Sequence, residues 1–117
     1  LNFYSPLFID QLRKGRKTAT IRLGDKRDKY VRGQLVWVTV GHRHGPRQRL
    51  FTAIIDDVAV KRVGDLTQRE IERDNPEFRL VEDTRQFLAH IYSRDITDDA
   101  EVTVVHFSEV IEFPPLD

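Results

Sequence analysis

Gly15-Arg16-Lys17-Thr18-Ala19-Thr20-Ile21-Arg22 is the stretch on which the reading of this chain turns. A helical pattern stops at its first residue and a strand pattern starts within it. Upstream, Ser5 reads as an N-cap, Pro6 as the first helical residue, and Arg13 and Lys14 as last-turn cations that suit the helix dipole. They predict a helix over 6–14 with Leu7, Phe8, Ile9 and Leu12 on its buried side, closed by Gly15. Downstream, the alternation over 18–23 predicts a strand. Two readings of the stretch stand side by side. In one it is an ordinary half-buried strand, with Ala19 and Ile21 inward and Thr18, Thr20 and Arg22 in water. In the other, a lysine three positions before a hydroxyl and five before an arginine offers base, nucleophile and anion clamp in one run.

Working outward, Gly24 and Gly33 bound a basic segment, GDKRDKYVRG, whose charge predicts a mobile loop over 24–33. Leu35–Val40 reads as a strand with apolar residues on both faces, placing Trp37 in the core. A glycine-bounded turn carries His42 and His44 into a long strand over 49–63, bent at Asp56-Asp57. Thr67 with Glu70 forms a capping box and Leu66 with Ile71 a hydrophobic staple, so a helix starts at 67. Asn75-Pro76 stops it at 74. A helix over 81–92 buries Thr84, Phe87, Leu88 and Ile91 at helical spacing. The chain closes with a strand over 101–113, apolar on both faces. The sum is α+β: one domain over 1–117, a small, mostly antiparallel barrel with about three short helices, its last strand completing the closure.

Composition narrows the function. The absence of cysteine removes disulfides, thiolate metal sites and cysteine nucleophiles, and suits a reducing compartment. No apolar run has the length of a membrane span, so the expected location is the cytoplasm. His42-x-His44 has no nearby third ligand and reads as a polar turn, so neither a metal nor another cofactor is expected. The net charge of zero conceals polarity. Residues 1–49 carry 12 Lys/Arg against 3 Asp/Glu, whereas residues 50–117 carry 7 against 16. Either a basic half meets an anionic partner such as RNA phosphate, or the two halves interleave and their charges mix.

The helix ending in Gly-x-Lys, the polar strand, the basic loop before Gly33 and the terminal strand together resemble the ASCH domain of the PUA-like superfamily, over essentially the whole chain. That family's signature is G-x-K-x-x-E-x-R, and here Thr20 stands at the glutamate position. The threonine variant is similar to a subgroup of small bacterial proteins that hydrolyse acetylcytidine to cytidine and acetate. The resemblance implies a catalytic set of Lys17, Thr20 and a later carboxylate, at Asp74 beside Asn75, where the subgroup usually has Glu. Thr20 would attack the amide carbonyl and a neutral Lys17 would take its proton, with Arg16 and Arg22 depressing the lysine pKa. Strict strand alternation would put Lys17 and Thr20 on opposite faces, so their meeting requires Lys17 to lie in the turn after Gly15. Both are expected at the surface, so that truncating them leaves the fold nearly untouched.

Arg16, Arg22, Lys26, Tyr30 and Tyr92 are the candidate substrate or RNA contacts, the two tyrosines as platforms for a base. Lys17, Thr20 and Arg22 are expected to line a concavity open to loop 24–33. The partner is accordingly a nucleoside or RNA. The alternative function is an RNA-binding module or ribonuclease built on the basic half, without amidohydrolase activity.

Overall fold

A single left-handed residue turns the chain from the first helix toward the strand that carries Thr20 and Arg22. In the computed structural model, which describes residues 1–42 and 44–111, Gly15 has φ +68°. Helix α1 (Phe8–Arg13) ends just before it, and the backbone N–H groups of Arg16 and Lys17 both donate to the Gln11 carbonyl. These bonds satisfy a carbonyl left over at the helix end and hold Lys17 in an irregular turn. Strand β2 (Ala19–Leu23) begins only after it, one residue later than the alternation predicts. The helix also begins two residues late. Ser5 Oγ accepts from the Leu7 N–H, so residues 5–7 form a turn, with Phe8 as the first helical residue.

The described residues form a five-stranded mixed sheet and three α-helices, an α+β architecture. The remaining elements are β1 (Asn2–Phe3), β3 (Leu35–Gly41), β4 (Arg47–Arg62), α2 (Gln68–Asp74), α3 (Val81–Tyr92) and β5 (Glu101–Glu109). Strand order is β1-β3-β4-β5-β2, antiparallel throughout except that β1 runs parallel to β3. The expected bend at Asp56-Asp57 is a register shift between Ile55 and Asp57 that lets β4 turn along β5.

The last strand does not complete a closure. It lies inside the sheet, and the sheet's edges are β1 and β2. Those edges share no backbone pairing among the described residues. Instead Arg22 of β2 reaches across and donates to the Asn2 carbonyl of β1 at 3.0 Å. The end of the expected final strand, at Phe113, lies outside the described residues, and β5 stops at Glu109.

Both faces of β5 are apolar because each feeds a different core. Val102 and Val104 pack under α2 and α3 with Ile21, Leu66, Ile71 and Leu88. Phe107 packs with Phe3, Leu12 and Val40 beneath α1, and Val105 packs with Ile55 and Tyr30. Two expectations of burial fail here. Trp37 is 60 % exposed on β3, its ring stacked under the Arg49 guanidinium at 4.6 Å, and Ile91 on α3 is exposed. Loop 24–33, conversely, is anchored. Thr103 Oγ1 donates to the Gly24 carbonyl and accepts from the Lys26 N–H, and the Gly33 N–H donates to the Ile55 carbonyl. Its Tyr30 is 5 % exposed, a core residue and not a surface platform for a base.

Candidate functional site

Helix α2 carries a carboxylate to the place where Lys17 arrives. Its start is fixed by the capping box, with Thr67 Oγ1 accepting from the Glu70 N–H and the Glu70 carboxylate accepting from the Thr67 N–H. Lys61 completes the arrangement, donating to Glu70 at 2.9 Å. Two turns later the helix ends at Asp74, which is 5 % exposed. A carboxylate at a helix C-terminus opposes the dipole, so it needs compensation. Lys17 Nζ donates to Asp74 Oδ1 at 3.0 Å and to the Asp74 carbonyl at 2.5 Å, while the Ile21 N–H donates to the same Oδ1 at 3.1 Å. One ammonium thus neutralises the acid and caps the helix end.

Lys17 is 2 % exposed. Its third acceptor is the Ala19 carbonyl at 3.0 Å, and its Nζ lies 5.1 Å from the Phe3 ring centre and 4.8 Å from that of Phe8. Three acceptors match the three protons of an ammonium. Burial nevertheless pushes its pKa below the ordinary 10.5, and the nearby Arg22 adds to that push. The Asp74 charge and hydrogen bond oppose both.

Thr20, 5 % exposed on β2, accepts a hydrogen bond from Arg22 Nε at 3.2 Å. Lys17, Thr20 and Asp74 are therefore interior residues. The expectation that truncating Lys17 or Thr20 leaves stability untouched does not hold, because that rule belongs to exposed side chains.

All three side chains line one cavity of about 590 Å³ with Arg22. Its remaining walls are largely apolar, from Phe3, Phe8, Phe87, Leu88 and Ile91, and exposed Tyr4, Leu7 and Tyr92 stand among its lining residues. Tyr92 also accepts the Leu23 N–H at 3.3 Å. The cavity lies between β1, α1, β2 and α3 and is not open to loop 24–33, none of whose residues lines it.

Arg16 is exposed and outside this cavity; Lys26, half-buried, also lies outside it, and its backbone serves to anchor its loop. Tyr30 stands behind Arg22, accepting from its Nη1 at 3.3 Å. Sequence reasoning missed Asn2, Phe3, Phe87 and His90 as cavity residues. Asn2-Phe3 is too short for any alternation to register, and Phe87 was legible only as an inward helix position. Among the described residues no three His, Asp or Glu side chains gather as a metal-binding group.

No protein-family model and no curated protein matches the sequence. Solved structures do match. An ASCH domain from Lactobacillus crispatus JV V101 superposes with a TM-score of 0.66 at 15 % identity, over 92 % of this chain and 77 % of that one. Protein EF3133 of Enterococcus faecalis V583, of the family DUF984, gives 0.64 at 15 % identity, over 89 % and 70 %. Hypothetical protein PH0355 gives 0.66 at 15 % identity, over 93 % and 95 %. Identity this low speaks for architecture and not for chemistry, and on that basis the chain has the ASCH-domain fold.

Proposed function

We propose that the chain is an amidohydrolase acting on acylated cytidine-type nucleosides, with Thr20 as nucleophile and Lys17 as base. One observation carries this reading: Lys17 and Thr20 line a single cavity with Asp74, more than fifty residues further along the chain, and there the threonine oxygen is already held by a guanidinium. The cavity's volume suits a small organic substrate. Its polar end meets the amide while its aromatic walls meet the base and acyl group.

The reaction begins from a neutral Lys17, the form that burial favours. A neutral amine keeps two of its three hydrogen bonds and presents a lone pair. As Thr20 Oγ attacks the carbonyl carbon, its proton passes to Lys17 Nζ. The C–N bond then breaks, and Lys17 returns that proton to the exocyclic nitrogen of the leaving cytidine. Water attacks the resulting acyl-threonine ester, giving its proton to Lys17, and the carboxylic acid departs as Thr20 is reprotonated. Asp74 orients Lys17 throughout and stabilises its charged form between steps.

Incubating the purified protein with acetylcytidine, other acylated nucleosides and short RNA, followed by product analysis, tests the proposal. Expected products are cytidine and the free acid, with none from Thr20→Ala. A wild-type rate in Thr20→Ala would mean another nucleophile. The competing reading, an RNA-binding module or ribonuclease, draws on exposed cations outside the cavity, such as Lys14 and Arg16. RNA binding or cleavage without amide hydrolysis would favour it.

A further inference from the structure

Tyr30 lies outside the cavity, yet it holds the group that touches the proposed nucleophile. Each nitrogen of the Arg22 guanidinium has a separate acceptor: Nε has Thr20 Oγ1 at 3.2 Å, Nη1 the Tyr30 hydroxyl at 3.3 Å, and Nη2 the Asn2 carbonyl at 3.0 Å. The carbon at the centre of that plane lies 5.2 Å from the Phe3 ring centre and 5.9 Å from that of Tyr30. A guanidinium is rigid and planar, so fixing two of its nitrogens fixes where the third one points. The Asn2 contact is to backbone at the unpaired edge of the sheet. The Tyr30 contact comes from a ring packed among Ile55 and Val105. Buried phenols ordinarily find a hydrogen-bond partner, and this one finds its partner in Arg22.

We infer that Tyr30 is a positioning residue whose hydroxyl aims Arg22 Nε at Thr20 Oγ1, and that Arg22 is a catalytic residue stabilising the negative charge that develops on that oxygen. The inference rests on the amidohydrolase reading above. When Thr20 loses its proton, the oxygen gains charge in a site screened from water, where a preoriented cationic donor counts most. The same charge forms again when the acyl-threonine ester breaks down. Arg22 acts on the transition states of both halves of the reaction. Misalignment of Arg22 through Tyr30, which lies outside the cavity, should therefore appear in kcat and leave KM alone.

The test compares wild type, Tyr30→Phe and Arg22→Lys on acetylcytidine, with the exchange of the Arg22 Nε–H proton followed by nitrogen-15 NMR in wild type and Tyr30→Phe. Phenylalanine preserves the buried ring and removes only the hydroxyl. Tyr30→Phe should lower kcat about tenfold with KM within about twofold, and speed Nε–H exchange, while Arg22→Lys should lower kcat by about 10²-fold or more. Lysine offers a point charge that cannot serve three acceptors at once. A Tyr30→Phe protein with wild-type kcat, or one whose defect lies in KM, overturns this inference alone. A wild type that hydrolyses no acylated nucleoside overturns the amidohydrolase reading, and the catalytic role of Arg22 falls with it.

Discussion

Lys17 and Asp74 form a buried pair whose energetics differ from those of any surface bridge in the molecule. Each partner has given up water, and the return is a set of hydrogen bonds that neither can replace alone. Lys17→Ala leaves a buried carboxylate with one backbone donor, and it should cost about 3–5 kcal/mol in chemical denaturation. Lys17→Met/Asp74→Asn removes both charges while keeping an acceptor for the Ile21 N–H, so it should recover most of that loss. A double variant as unstable as the sum of the singles would deny the coupling.

The lysine also makes stability depend on pH. Its folded pKa lies below the ordinary 10.5 through burial, so between the two values the unfolded chain binds more protons and stability rises with pH. Below the folded value the cost of the buried ammonium is fully present. The stability of wild type relative to Lys17→Met should therefore increase from neutral pH toward 10.5. Turnover should rise on the same limb as the free base forms, and a flat profile would speak against a depressed pKa.

At the scale of elements, the site depends on a chain reversal made by glycine. Gly15 at φ +68° lets the chain leave α1 so that Lys17 enters the cavity before β2 begins. Gly15→Ala would strain that conformation by about 1–2 kcal/mol, and a relaxation of the turn would move Lys17. A fall in kcat beyond the fraction unfolded, measured at a temperature where the variant is folded, is the expected sign of that movement. What was legible in the sequence follows the same local logic. The α2 capping box and the glycine stop are written in neighbouring residues; α2 stands where the pattern put it, and α1 closes ahead of Gly15 although it begins two residues late. Strand β1 was not legible, because two residues become a strand only through parallel pairing with β3, more than thirty residues away. Trp37 read as core because its strand is apolar on both faces, and Tyr30 as exposed because its segment is charged, but neither pattern says which surface a helix or loop covers. Both were consequently placed on the wrong side. The grouping of Lys17 with Thr20 was legible as spacing, whereas their shared burial depended on where α2 delivered Asp74.

At the scale of the molecule, the charge polarity of the sequence survives folding in an altered form. Strand β2 of the basic half pairs with β5 of the acidic half, so the halves interleave in the sheet. Yet the described ion pairs mostly stay within a half, as in Lys14–Asp10, Arg27–Asp25, Lys61–Glu70 and Arg62–Asp99. Lys17–Asp74 joins the halves, and it does so in the interior. Arg13, Lys14, Arg16, Lys29 and Arg32 remain exposed. These cations distinguish the two functional readings through ionic strength. An acylated nucleoside carries no phosphate, so its hydrolysis releases no counterions, and kcat/KM should stay within about twofold between roughly 50 and 200 mM salt. RNA held by about six phosphate contacts would instead lose affinity on the order of 10²-fold or more over the same range. The basic surface should then matter unequally. Lys14→Ala/Arg16→Ala should leave nucleoside hydrolysis unchanged, because neither side chain lines the cavity, while reducing any RNA affinity and flattening its salt slope. Loss of nucleoside turnover in that variant would place the substrate on the exposed basic surface and not in the cavity beside Thr20.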